Sequence, residues 1–369
     1  MIDIGKILKR SWHIVWNYRI LWIFGFLLAL TGGGNGGGNN IQYTFGNNNR
    51  HYNGSNGYNP NFQPGPYLRE LTDWYNQHIA PLFQYPAQHV ATFIWISLAF
   101  LLFLLIIIAV TSLIRYPSET AVIRMVDEYE QSGTKVGFKQ GWKMGWNRRA
   151  FRIWVIDLVI GLPVFVFIAL LLGLGMLFFI SVAKGNSLLA IGGTITAIGC
   201  AFLFIFAFVI LMILLSLLRQ FFVRAAALEE TGIGESFRHG WTLFRNNWKS
   251  AALMWLVMIG IGIGFGIIGM ILFFLLIPAY LILILPAAII AAIPALIAFG
   301  ITSIFASGIL AGIVAVLIGL PFFLLIMFIP LTLVSGWYMI YTSSVWTLTY
   351  REIKALEAVK PEEPLTVSA

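Results

Sequence analysis

Asp157 is the one acid set within a long apolar run of this 369-residue chain. An ionisable group at membrane depth is a candidate for function by default, provided a partner can be named. Asp157 stands eight residues after Arg149, about 12 Å along a helix rising 1.5 Å per residue. At that depth Arg152, Arg219 or Arg224 could reach it. Two roles suit such a carboxylate, a structural ion pair or a proton- or ion-coupling group. The remaining candidates, Glu70, Asp73, His78 and His89, fall in one segment. Glu70, Asp73 and Gln77 lie within two helical turns, but His78 projects about 100° away from Gln77. Zinc needs three or four convergent ligands, and this spacing supplies no recognised set, so no metal or cofactor is expected. No Ser/His/Asp set, no paired carboxylates at depth, no phosphate loop and no His-Glu metal motif occurs, and enzymatic activity is not expected. The single cysteine, Cys200, sits in an apolar run and reads as a buried structural thiol.

The elements that carry these residues are membrane helices. Hydrophobic residues make up 59% of the chain and charged residues 10%, against about 25% charged in soluble domains. Residues 250–350 contain no Asp, Glu, Lys, Arg or His. At about 20–25 residues per crossing that stretch alone holds roughly four helices. Eight spans are expected in an all-α polytopic membrane protein: 14–31, 90–114, 153–181, 188–218, 251–277, 279–300, 302–320 and 322–348. The first is the least regular, because Arg19 interrupts it. Six is the runner-up count, with re-entrant or merged segments among the last four. The net charge of +8 is confined to short segments between apolar runs, so no nucleic-acid face is expected.

An eleven-residue phrase recurs ahead of three of these runs: ILKRSWHIVWN at 7–17, GFKQGWKMGWN at 137–147 and SFRHGWTLFRN at 236–246. A repeat of this kind decides architecture before any local reading does. It divides the chain into 1–130, 131–230 and 231–360, with a disordered tail at 361–369. The apolar positions fall four apart (Leu8, Trp12, Trp16; Phe138, Trp142, Trp146; Phe237, Trp241 and nearly Phe244), which puts them on one helical face. Lys9 and Arg10, Lys139 and Lys143, and Arg238 flank that face. Each phrase is therefore expected to form an amphipathic helix lying in the interface, with Trp12, Trp16, Lys139, Trp142, Lys143, Trp146, Arg238 and Trp241 as lipid contacts. His13 and His239 read as interfacial side chains, and the closing Asn as a cap for the span that follows.

The exits also repeat. LIRYPSETAVIRMVDEYE, LLRQFFVRAAALEE and SSVWTLTYREIKALEAVK each carry a returning span beyond its apolar run. Twenty of the 23 Lys and Arg residues fall on one side of the expected topology, leaving Arg50, Arg69 and Lys184 on the other. That asymmetry makes both termini cytoplasmic and the loop 31–89 extracytoplasmic. Residues 31–66 are rich in Gly and Asn and cannot bury a core, while 67–89 carries the pattern of a short amphipathic helix. Gly260 with Gly264, and Gly262 with Gly266, are spaced for close helix packing.

The combination of base, Gly or Ser, Trp, aromatic residue, Asn and apolar span resembles the membrane domain of bacterial glycerophosphoryl diester phosphodiesterases and related multi-span proteins. The likeness covers most of the chain outside 31–88. It implies a helical fold in a bacterial inner membrane and carries over no catalytic residue, because the soluble hydrolase domain of that family has no counterpart here. The functional expectation is a non-enzymatic protein that organises the membrane or binds lipid or partners, with anionic headgroups, a protein partner or a second copy as its contacts. A transporter or flippase-like protein for an apolar or amphipathic substrate is the alternative, and a lipid-modifying enzyme the least supported reading.

Overall fold

The computed structural model describes residues 2–32, 73–77, 80, 90–183, 187–229, 231–304 and 308–359. Every regular element among them is helical, as lipid requires of a backbone that must satisfy its own hydrogen bonds. In chain order the long elements are α1 (Ile4–Asn17), α2 (Leu21–Leu30), α3 (Val90–Ser132), α4 (Phe138–Gly145), α5 (Arg148–Ala183), α6 (Ser187–Leu228), α7 (Ile233–Asn246), α8 (Trp248–Leu275), α9 (Ile277–Thr302), α10 (Gly308–Met327) and α11 (Ile329–Val359). Six described segments are long and apolar enough to cross a membrane: 101–132, 148–173, 202–228, 248–275, 277–302 and 308–327.

The expected first span, 14–31, is two helices. α1 and α2 meet at 97°, and α2 alone is about 15 Å long, half of a hydrocarbon core. The cause is a contact made far along the chain. Tyr18 is buried at the bend, and its hydroxyl donates to the Val136 carbonyl at 2.8 Å and accepts from the Val136 amide at 2.6 Å. The expected spans 90–114 and 188–218 continue without a break to Ser132 and Leu228. The expected 302–320 and 322–348 shift to Gly308–Met327 and Ile329–Val359. The Gly/Asn-rich segment from 33 to 66 and the tail 361–369 lie outside the described residues, as do Glu70, His78 and His89; of the expected helix at 67–89, residues 73–77 are helical.

The three recurring phrases form α1, α4 and α7. Asp3 caps α1 by accepting from the Lys6 amide at 3.0 Å, and Glu235 accepts from the Gly232 amide at 2.9 Å at the start of α7. α3 ends at Gly133, whose φ of +69° is the left-handed turn a helix C-terminus favours.

Two compact units are distinguished. One comprises Met1–Asn40, Thr111–Ile268 and Thr332–Ala369; the other comprises Ile41–Val110 and Gly269–Leu331. In the second, α9 and α10 pack along small residues: a methyl added at Gly319 would lie 2.9 Å from Ala295 Cβ and 3.1 Å from the Ala291 carbonyl oxygen.

The core of the first unit lies in the exits rather than in the apolar runs. Nearly every side chain is buried over 117–126, 217–227 and 342–350, whereas the apolar windows of the six candidate spans are only 6% to 17% buried. α1, α4 and α7 close over these exits through the smallest residue of each phrase. Ser11 is fully buried. A methyl on Gly141 would sit 2.5 Å from Met125 Sδ, and one on Gly240 would sit 2.6 Å from Phe222 Cδ1 and 3.1 Å from its backbone nitrogen. Gly145 lets α4 approach the Pro117 carbonyl, 2.1 Å from where its Cβ would stand.

Candidate functional site

The exits bury charge, and a buried charge is tolerated only when it is paired and fully hydrogen-bonded. Arg219 on α6, 2% exposed, meets both acids within reach with the planar fork that guanidinium presents to carboxylates. Its Nε donates to Asp157 Oδ1 at 2.6 Å and its Nη2 to Asp157 Oδ2 at 2.8 Å. Nη2 also donates to Glu119 Oε2 at 3.1 Å, and Nη1 lies 3.1 Å from Glu119 Oε1. Asp157 on α5 and Glu119 on α3 are thus tied to one arginine on a third helix. Arg115, one turn before Glu119, reaches Asp157 Oδ2 from Nη2 at 3.4 Å, and its guanidinium carbon lies 5.3 Å from the Tyr116 ring centre.

Of the three partners expected for Asp157, only Arg219 is used. Arg152 and Arg224 each lie five residues from a member of the cluster on its own helix, a rotation of about 140°. Arg152 turns to the Thr231 carbonyl, and Arg224 to the Gln220 carbonyl at 3.2 Å and the Gln220 side chain. Arg115 and Glu119 were missed. Two signs of them stood in the sequence: Arg115 holds the place in its exit that Arg219 holds in the next, and the four-residue spacing of Arg115 and Glu119 puts them on one helical face.

Several bases of the connecting segments bond protein rather than lie free. Arg124 Nη1 donates to the Met144 carbonyl at 3.0 Å, and Arg149 Nη1 to the Ala227 carbonyl at 2.9 Å. These carbonyls belong to the last turns of α4 and α6, where a cation offsets the negative end of the helix dipole. Arg10 Nε donates to Glu130 Oε2 at 2.9 Å, and Arg351 reaches both the Asp127 carbonyl, at 3.0 Å, and its carboxylate.

A second polar group gathers at the end of α6. Glu229 accepts from the Tyr350 hydroxyl at 2.7 Å and from Lys354 Nζ at 2.8 Å, and His239 Nδ1 lies 3.0 Å from its other oxygen. Burial alone would raise the Glu229 carboxyl. The hydrogen bonds from Lys354 and Tyr350, with the charges of Lys354 and His239, outweigh it and hold the group below the ordinary glutamate value. A cavity of about 550 Å³ opens beside this group, with Glu235, Arg238 and Glu357 on its walls.

Seven of the eight expected lipid contacts are exposed, and Trp142 packs inward beside Phe24. Trp12, Trp16, Trp146 and Trp241 are each about half exposed, Trp142 is partly buried, and Lys139, Lys143 and Arg238 are exposed. The aromatic stripes are contiguous: Phe138 stacks on Trp142 and Trp142 on Trp146, at centroid distances of 6.3 and 5.9 Å, and Trp12 meets Trp16 edge-on at 5.8 Å. Of the closing Asn residues, Asn147 precedes a helix directly, and its Oδ1 accepts from the Arg148 amide at 2.6 Å.

Among the described residues, the pair Gly260 and Gly264 meets no neighbour, whereas Gly262 approaches α11. A methyl at Gly260 or Gly264 would meet nothing within 4 Å, and one at Gly262 would approach only the Tyr338 hydroxyl, at 3.0 Å. Gly266 is partly exposed on the same helix. Close approach occurs instead between α2 and α11, where a Cβ on Gly25 would stand 2.6 Å from the Gly336 carbonyl oxygen. Among the described residues no group of three or more His, Cys, Asp or Glu converges as metal ligands would.

Comparison with curated proteins and with solved structures finds no match. Over residues 22–348, the greater part of its length, the chain matches one described family, and it therefore belongs to the family of unknown function DUF7544.

Proposed function

We propose that this chain is a non-enzymatic, multi-pass protein of the cell membrane that organises lipid or partner proteins from the cytoplasmic face. In this reading three units follow one another, each opened by an interfacial helix (α1, α4, α7). Eight crossings place both termini in the cytoplasm and loop 31–89 outside, with the bent pair α1 and α2 counted as the first and α11 as the last. The bias of Lys and Arg supports that orientation, and the resemblance to the membrane part of glycerophosphoryl diester phosphodiesterases bears on this architecture alone.

The observation that carries the reading is the two-faced character of the phrase helices. Ser11, Gly141 and Gly240 hold one face against the buried exits, so the opposite face is fixed outward with its Trp and basic residues. Trp at headgroup depth beside Lys or Arg suits an anionic leaflet. In vesicles of equal bromolipid content, brominated phosphatidylglycerol should quench tryptophan fluorescence more than brominated phosphatidylcholine. K139Q/K143Q/R238Q should remove the difference. Equal quenching of the unaltered protein by both lipids would overturn the reading.

A transporter for an amphipathic substrate is the second reading, favoured by the cavity beside Asp157. Asp157→Asn separates the two. A coupling carboxylate predicts a stable but inactive protein; the bidentate pairing to Arg219 predicts a destabilised one.

A further inference from the structure

A cavity of about 350 Å³ lies among α3, α5 and α6 with one charged end and apolar walls. Arg115, Asp157 and Arg219 form the charged end; Leu158, Gly161 and Phe165 are among the apolar walls. Both carboxylates of the cluster are committed to Arg219 by bonds of 2.6 to 3.1 Å. Arg115 has a single long bond of 3.4 Å to Asp157, and its Nε is buried without an acceptor. The charges are also uneven. Arg224, 2% exposed and bonded to neutral Gln220, lies in the field of Glu119 and Arg219. Arg115 and Arg219 share the two carboxylates, and Arg224 adds a third buried positive charge on the same helix as Arg219.

The walls say what form that charge takes. Trp154, Leu158, Gly161 and Phe165 follow one another at helical spacing along a single face of α5. From first to last they span about 16 Å, half the thickness of a hydrocarbon core. At Gly161 an added methyl would meet nothing within 4 Å, so the groove runs open past it. Arg115 stands where the apolar run of α3 gives way to its polar exit, the level of headgroup phosphates in the proposed topology.

We propose that this cavity binds one anionic glycerophospholipid, its phosphate oxygens accepting from Arg115 and one acyl chain lying along Leu158, Gly161 and Phe165. The proposal rests on the lipid-binding reading above but assigns a discrete site, distinct from the Trp and Lys stripes. Phosphate offers the charge-assisted acceptor that Arg115 Nε lacks, and the lipid brings a negative charge to this base-rich end. A free phosphate ion shares that headgroup chemistry and would leave the apolar walls without a partner.

The test is native mass spectrometry of the full chain released from phosphatidylcholine vesicles containing phosphatidylglycerol. One phosphatidylglycerol per chain should survive mild activation. Arg115→Gln should lower the retained fraction about tenfold, the loss of one charge-assisted contact. Gly161→Phe, which fills the groove and leaves every charge in place, should lower it similarly. K139Q/K143Q/R238Q should leave the retained lipid untouched, so failure of the interfacial reading and failure of this site give different results. Retention unchanged in both R115Q and G161F would overturn the proposal, as would displacement of the lipid by millimolar inorganic phosphate. Should R115Q fail to fold, G161F decides alone.

Discussion

Asp157→Asn is nearly isosteric and removes one charge, which makes it the most direct probe of the cluster. In the native chain Asp157 accepts from Arg219 at 2.6 and 2.8 Å and from Arg115 at 3.4 Å, with its side chain 12% exposed. At an effective dielectric of 20, two unit charges about 4 Å apart, roughly the separation of the guanidinium and carboxylate centres, interact by about 4 kcal/mol, and breaking one buried pair by removing a single partner costs about 3–5 kcal/mol. The asparagine oxygen can still accept one hydrogen bond, returning about 1 kcal/mol, and Glu119 continues to hold Arg219. A loss of about 3 kcal/mol is therefore expected. Unfolding by sodium dodecyl sulfate in mixed micelles, followed by circular dichroism, measures it. The double variant D157N/R219Q should be less destabilised than the sum of the single changes, because the Asp157–Arg219 interaction can be lost only once. A loss below about 1 kcal/mol for Asp157→Asn, with additive behaviour in the cycle, would refute the structural role and return Asp157 to the coupling reading.

Gly145→Ala and Gly240→Ala should each destabilise by about 1–3 kcal/mol through overpacking, Gly145 the more because a backbone carbonyl stands 2.1 Å from the added methyl. Gly260→Ala meets nothing and should cause no loss in the same denaturation assay. Because the folded Glu229 carboxyl is held below its ordinary value, its contribution to stability is complete above that value and is lost as pH falls through the folded one. Thermal melts from pH 7 downward should record this loss, and Glu229→Gln should flatten that part of the profile. In a Cys200→Ser background, a cysteine placed at Ser55 should react with an impermeant maleimide in intact cells, and one placed at Ser132 should react only after lysis; the reverse pattern would overturn the proposed orientation.

What the sequence makes legible is local periodicity. Trp12 and Trp16, or Trp142 and Trp146, are four apart, so their shared face follows from helix geometry alone; the contiguous aromatic stripes were legible for that reason, the inward turn of Trp142 toward Phe24 was not. The bend between α1 and α2 was not, because it depends on Tyr18 meeting Val136, 118 residues away. For Asp157 the sequence narrowed the partner to a few arginines. Choosing Arg219 over Arg152 and Arg224 needed the rotation of α5 and α6 about their axes, which three-dimensional packing sets. Gly260 and Gly264 of α8 meet no neighbour among the described residues for the same reason. Their spacing permits close packing, but only a neighbour makes it happen, and the neighbour is at Gly25 and Gly336 instead.

The position of the core follows from the solvent. Lipid tails solvate Leu or Phe as well as another helix does, so apolar contact gives membrane helices little reason to choose one partner or one register. The apolar windows here are accordingly little buried. Arg219, Glu119 and Asp157 have no such freedom, because facing lipid would leave each of them unpaired. Their bonds bring α3, α5 and α6 to one register, and the carbonyls taken up by Arg124 and Arg149 tie α4 to α3 and α5 to α6. The Gly or Ser of each phrase then has a reason beyond anchoring: a phrase helix can cover a charged, close-packed exit only if its contact residue is small. On this argument Ser11→Leu should misplace α1, and with it Trp12 and Trp16, although it makes the helix more apolar. Loss of the accessibility difference between Trp12 and Ile14 after that change, read by acrylamide quenching of single-tryptophan variants, is the expected result; an unchanged difference would mean that the aromatic stripe alone positions the helix.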